Sequence, residues 1–197
     1  PSGRCIHKSY EDGLEAYQQE KRDRFANGEL TNLDSIHPQD TMKFYTMNKR
    51  VVYGGGGIMP DEFVAIDTTQ SSAYFGQLVR KGILNTFALN HVDLHRAELT
   101  QKYAGVEAFR TTFTVDPSLM SALETQAKTE GVEPDADGMM RSKDLIALRL
   151  KALIARDLWD TSAYWQVINA DNPVDRSFQR ALEVLEDDTF QRLGMSR

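Results

Sequence analysis

Val52-Tyr53-Gly54-Gly55-Gly56-Gly57-Ile58-Met59-Pro60-Asp61 is the stretch on which the fold of this chain turns. Four consecutive glycines between a β-type run and an Ile-x-Pro-Asp turn ask for backbone freedom. Glycine enters φ > 0 without steric cost and lets another backbone approach closely, so the cluster marks a tight strand connection or a ligand loop. A phosphate cradle would close on Lys-Ser or Lys-Thr at a helix N-terminus, and Ile58-Met59-Pro60-Asp61 supplies neither. After Pro60 the run Phe63-Val64-Ala65-Ile66 has strand character, so the glycines are expected to join two β segments.

Upstream, residues from Tyr10 to about Ala26 read as a helix with Leu14, Tyr17 and Phe25 along one side, stopped by Asn27-Gly28. Asn32 to Ile36 leads through His37-Pro38 to Phe44-Tyr45-Thr46. There Met47-Asn48-Lys49-Arg50 turns the chain into Val51-Val52-Tyr53, a hairpin signal. Downstream of Asp67-Thr68 the pattern becomes helical. A long apolar series runs from Tyr74 and Phe75 through Leu78, Val79, Ile83, Leu84, Phe87, Leu89 and Leu94 to Leu99, interrupted at Gly82. Apolar residues at helical spacing are core-forming. Thr111 to Val115 reads as a short β-like segment. Asp116-Pro117 starts a helix through Leu119, Leu123 and Ala127. Another helix carries Ile146, Leu150, Leu153, Ile154 and Leu158, with Trp159, Tyr164 and Trp165 following as large anchors. Asn172-Pro173 restarts a final helix with Val174, Phe178, Ala181, Leu182 and Leu185.

With the glycines placed, two elements of the first third together resemble the C-terminal processing peptidases, or tail-specific proteases. These are Pro1-Ser2-Gly3-Arg4-Cys5-Ile6, followed by Lys8-Ser9-Tyr10, and Gly54 to Asp61, followed by Phe63-Val64. In that family a Pro-x-Gly-Arg-x-Ile-like turn follows the catalytic Lys, and a Gly-Gly-Ile-x-Pro-Asp segment closes the catalytic domain. Where relatives commonly carry Gln, this chain has His7. The similarity covers about residues 1–67. It implies a serine endopeptidase in which a Lys, deprotonated in a desolvated pocket, activates a Ser nucleophile, with no metal or organic cofactor. Both of those residues precede the first element in the family, as does its peptide-binding PDZ module. The chain is therefore expected to be a C-terminal fragment in which no residue is catalytic and none binds a cofactor. A protein or peptide substrate is the partner implied, and the bacterial periplasm or cell envelope the location implied.

Composition agrees with a chain that folds: 197 residues, 41% hydrophobic and 26% charged, enough for one or two small cores. A net charge of −6 and a pI near 5.3, with basic residues dispersed, argue against a nucleic-acid surface. No apolar run approaches the roughly 20 residues that span a bilayer. Cys5, the single cysteine, rules out an intrachain disulfide. Its pairing with His7 is conceivable on one strand face, but a half-buried small hydrophobe is the expectation.

Two constellations invite metal chemistry. His91-Val92-Asp93-Leu94-His95 sets two imidazoles one helical turn apart, a zinc-gripping spacing, but Val92 stands where the catalytic version needs Glu. A third ligand would have to come from Asp93, Glu98, His7 or His37. Glu133 to Asp144 places oxygen side chains at the first, third, fifth and twelfth positions of a calcium loop, with Gly138 at the sixth. Glu133 is a methylene too long, Asp144 is short for a bidentate role, and Arg141 puts a cation at the ninth place. Both are expected to be metal-free, the second being an acidic turn that caps a helix beginning near Ser142.

The sequence thus predicts an α+β chain. Residues 1–67 form short strands, a hairpin and one helix from the edge of a peptidase core, and residues 68–197 form a mostly α-helical C-terminal domain. The competing expectation is a helical protein-interaction or self-association module, a homo-oligomer without enzymatic role.

Overall fold

The computed structural model describes residues 3–7, 11–36, 43–55, 58–172 and 176–193. It is mostly helical with one two-stranded antiparallel hairpin. The chain divides into two compact units, one of Pro1–Asp67 with Gln179–Arg197 and one of Thr68–Phe178. The sequence reading carried the helical domain on to residue 197, whereas here the segment from Gln179 groups with the first unit.

In the first unit β1 (Lys43–Tyr45) pairs with β2 (Val51–Tyr53), Phe44 opposite Val52. The five-residue connection closes through Thr46 N–H to Arg50 O at 2.9 Å and Lys49 N–H to Thr46 O at 2.9 Å. Lys49 takes φ +59°, the left-handed conformation such loops require. Helix α1 (Gly13–Ala26) ends at Asn27, where the sequence placed its stop. Its expected apolar side is not buried, however: Leu14 is 64% and Phe25 56% exposed. Leu14, Tyr17 and Phe25 do fall on one side at a 3.6-residue period, but they are the only large apolar residues of the helix, so the stripe is too sparse to form a continuous apolar face. Phe63–Ile66 does not form the expected strand. Ile66 N–H donates to Leu30 O at 3.0 Å, but the segment forms no ladder among the described residues. Helices α8 (Ser177–Glu186) and α9 (Thr189–Arg192) close the chain. Arg180 pairs with Glu62 at 3.1 Å and Glu183 at 3.0 Å. The expected start of α8 at Pro173-Val174 lies outside the described residues, as do Lys8 to Tyr10, His37-Pro38 and Gly56-Gly57.

The described residues of the second unit form α2 (Ala73–Arg80), α3 (Ile83–Lys102), α4 (Val106–Thr112), α5 (Pro117–Thr129), α6 (Ala136–Leu158) and α7 (Thr161–Asp171). Their starts are written in the sequence. Ser72, Asp116, Asp135 and Asp160 each accept a hydrogen bond from the backbone N–H three residues on, satisfying donors that a helix leaves unpaired. Gly82, at φ +72°, breaks the long apolar series into α2 and α3. Helix α6 is central, packing on α2, α3 and α7. It buries Ile146, Leu150, Leu153 and Ile154 completely or nearly so. Ser142 is fully buried, its hydroxyl 2.8 Å from Gln70 O and from the Ser72 hydroxyl, which ties the start of α2 to α6. An aromatic cluster fills the other end, with Phe109 stacked on Phe113 (centroids 4.4 Å) and edge-on to Trp159 (5.5 Å).

Several expectations for this unit are corrected. Thr111 and Thr112 are not β-like but end α4. Their hydroxyls donate back to the Glu107 and Ala108 carbonyls, and Phe109 and Phe113 fall on one face at helical spacing. Helix α6 begins at Ala136, not near Ser142. Leu89 and Leu94 face solvent on α3, while Ile83, Phe87, Val92 and Leu99 carry its buried side. Trp165 is half-exposed rather than an anchor. Among the described residues every buried hydrophobic lies between Tyr74 and Val167, so the second unit has its own core and the first buries no apolar side chain fully.

Candidate functional site

The two elements that carry the family resemblance meet in the first unit. Cys5 O accepts a hydrogen bond from Gly55 N–H at 3.0 Å, so the segment at Cys5 lies beside the end of β2. Gly54 is required at this crossing. A Cβ there would sit 2.9 Å from the Phe44 ring and 3.1 Å from Cys5 O, contacts that only glycine avoids. Around the junction lies an open groove of about 590 Å³, whose lining includes Arg4, Met47, Arg50, Ile58, Met59 and Asp61. Arg50 donates to the Asp61 carboxylate, joining the hairpin to the Ile58–Asp61 segment. Cys5 is exposed, and its thiol donates to the His7 backbone carbonyl at 3.7 Å rather than to an imidazole. Among the described residues Cys5 has no base beside it there.

In the second unit, His91 and His95 share a face of α3, ring centroids 4.8 Å apart. They line an open groove of about 580 Å³ that also takes in Phe87, Phe113 and Asp116. Burial, and then the neighbouring His95, hold the His91 imidazole below the usual histidine range, with Asp116 and Glu98 pulling weakly the other way. Of the side chains considered as third ligands, one pairs elsewhere and one rests on His95 itself. Asp93 pairs with Arg96 at 3.4 Å, and Glu98 lies 3.6 Å from His95 Nδ1. His7 belongs to the first unit, and His37 is outside the described residues. Among the described residues no group of three or more His, Cys, Asp or Glu side chains is arranged to hold a metal.

The Glu133–Asp144 segment is not a loop. Positions 136 to 144 are the first turns of α6, which leaves the Asp137 and Asp144 side chains exposed on the helix surface instead of turned inward on an ion. Asp135 is the N-cap, its Oδ1 accepting from Gly138 N–H at 2.8 Å. The glycine fits because a Cβ there would meet Asp135 Oδ2 at 2.3 Å and Tyr74 Cβ at 3.0 Å. The sequence reading missed Arg4, Met47 and Arg50 as groove residues. Scattered along the chain, they come together only through the hairpin and the Cys5–Gly55 contact.

No helix among the described residues is long and apolar enough to cross a membrane. No curated protein and no solved structure matches the chain. Residues 74–160, which run from α2 past the end of α6 inside the second unit, match a family described as one of unknown function (DUF8443).

Proposed function

We propose that this chain is the C-terminal, non-catalytic portion of a Ser/Lys endopeptidase that cleaves peptide bonds in the C-terminal regions of proteins in the bacterial periplasm or cell envelope. The observation that carries the proposal is the junction of the two resembling elements. About fifty residues apart, Cys5 and Gly55 share a backbone hydrogen bond, and Gly54 is packed so that no side chain fits. Segments that close one catalytic sheet are expected to be neighbours in this way. That the described residues of 1–67 bury no apolar side chain fully agrees with their being part of a larger core. Nucleophile and base belong, on this proposal, to residues that precede the first element.

A second reading has its own observation. Residues 68–178 bury a complete helical core without help, as an interaction or self-association module does. The two readings are compatible, since such a domain can serve a peptidase. The experiment is incubation of this chain with an unfolded protein and with peptides bearing apolar C-termini. No turnover is expected; turnover that survives Cys5→Ala would mean that the chain holds a complete catalytic site, and the proposal fails.

A further inference from the structure

Building on the self-association reading, we infer that the second unit pairs with a second copy of this chain through the groove face of α3, the two α3 helices running antiparallel about a two-fold axis between positions 94 and 95. The groove lies between α3 and α5. Phe87, His91, Leu94 and His95 follow one another at helical spacing on one face of α3 and form one wall, and Leu119 and Ala122 of α5 belong to the other. Leu94 is 80% exposed on that face, beside a hollow whose lining includes Phe87 and Phe113. A large apolar side chain displayed next to an apolar hollow marks an interaction surface. A two-fold contact requires such a patch to complement itself.

Charge complementarity selects a second copy as the occupant. An axis between positions 94 and 95 sets Leu94 against its own symmetry mate, residue 91 opposite 98 and residue 87 opposite 102, because paired positions lie equally far from it. His91, whose ring N–H donates, then faces the second copy's Glu98, an exposed carboxylate that also rests 3.6 Å from its own His95 Nδ1. The same pair forms again on the far side of the axis. Lys102, an exposed residue, enters the second copy's groove with its methylene stem over Phe87 and its ammonium at Asp116. Asp116 is the one carboxylate of a lining that, among the described residues, includes no Lys or Arg. Its Oδ1 accepts from Leu119 N–H at 2.8 Å, and a carboxylate has further lone pairs for a cation. Within its own chain the Lys102 ammonium lies 5.2 Å from the Tyr103 ring centroid, a contact that is weak at an exposed site and is given up at little cost.

Sedimentation velocity of this chain from about 10 μM to about 1 mM tests the pairing, since a dimer grows with concentration by mass action. A species of twice the chain mass is expected. Leu94→Glu, at an exposed position that leaves the thermal midpoint unchanged, is expected to weaken the dimer at least about tenfold by setting two carboxylates against each other at the axis. Lys102→Glu is expected to weaken it about fivefold or more at low salt and less at high salt, because it opposes Asp116. Geometry is read by oxidation in a Cys5→Ala background. Leu94→Cys is expected to give a disulfide-linked dimer, whereas Lys102→Cys is not, since antiparallel pairing holds the two copies of position 102 about 20 Å apart. Cross-linking through Lys102→Cys as readily as through Leu94→Cys overturns the inference. A dimer that Leu94→Glu leaves unchanged overturns it too, while the self-association reading stands on some other surface. A single-chain mass at every concentration removes both.

Discussion

Gly138→Ala is expected to destabilise the second unit although it replaces a glycine inside a helix. In an open helix that exchange gains up to about 1 kcal/mol, because alanine loses less backbone entropy. At Gly138 the new methyl meets Tyr74 Cβ at 3.0 Å, an atom fixed to the α2 backbone, and Asp135 Oδ2 at 2.3 Å. Moving the carboxylate aside breaks the N-cap bond to Gly138 N–H, worth about 1 kcal/mol. Crowding α2 against α6 costs about 1–3 kcal/mol more. Set against the helix gain, the net loss is about 2 kcal/mol. Gly76→Ala is the control of opposite sign. There the methyl meets the Arg80 guanidinium at 3.1 Å, a flexible end that swings away, so a gain of up to about 1 kcal/mol is expected. Urea unfolding followed by far-ultraviolet circular dichroism reads both, with and without calcium. The same loss in either condition is expected, because Gly138 serves packing and not an ion loop. If Gly138→Ala stabilises the chain as Gly76→Ala does, the packing of α2 on the start of α6 is refuted.

At the first unit's junction, Gly54→Ala is expected to separate the segment at Cys5 from β2 and so speed hydrogen exchange at the Gly55 amide. Unchanged exchange would show that the contact is not formed in solution. Acid is expected to weaken the second unit through His91. Its imidazole takes up a proton at lower pH in the folded chain than at the unfolded value near 6.5. The unfolded state therefore binds more protons as pH falls, and stability is lost as the pH drops through the unfolded value. His91→Gln should flatten that part of a thermal-midpoint profile, although His95, Glu98 and Asp116 still face the position; an unaltered slope would remove His91 from the cause. A polypeptide of residues 68–178 is expected to unfold cooperatively by itself, since all the buried apolar side chains among the described residues lie within it. A non-cooperative melt would contradict the division into two units.

Local signals carried the second unit into view before its structure did. Asp116-Pro117 announced a cap and a first turn, Gly82 announced a break, and the Ile146–Leu158 stripe announced the central helix, because each is set by neighbours within one or two turns. Other features were hidden for physical reasons. Thr111 and Thr112 are β-formers by type, and only their hydroxyl bonds to the preceding turn, with Phe109 and Phe113 held in the aromatic cluster, make them helical. Phe63–Ile66 has strand composition, but a strand needs a partner, and a single bond to Leu30 does not make a ladder. The oxygen spacing of Glu133–Asp144 resembled an ion loop because a cap at Asp135 and acidic residues in a first turn use the same residue types. The groove was the least legible, since it depends on bringing Arg4 beside residues more than forty positions away.

The most direct test of the peptidase proposal is mass spectrometry of an unfolded protein incubated with the protein expressed from the whole reading frame. Cleavage within the C-terminal region of the substrate is predicted. It should be abolished by replacing the Ser or the Lys that the peptidase proposal requires, and retained in Cys5→Ala and His91→Gln. Absence of cleavage, or cleavage that depends on Cys5, would contradict the account.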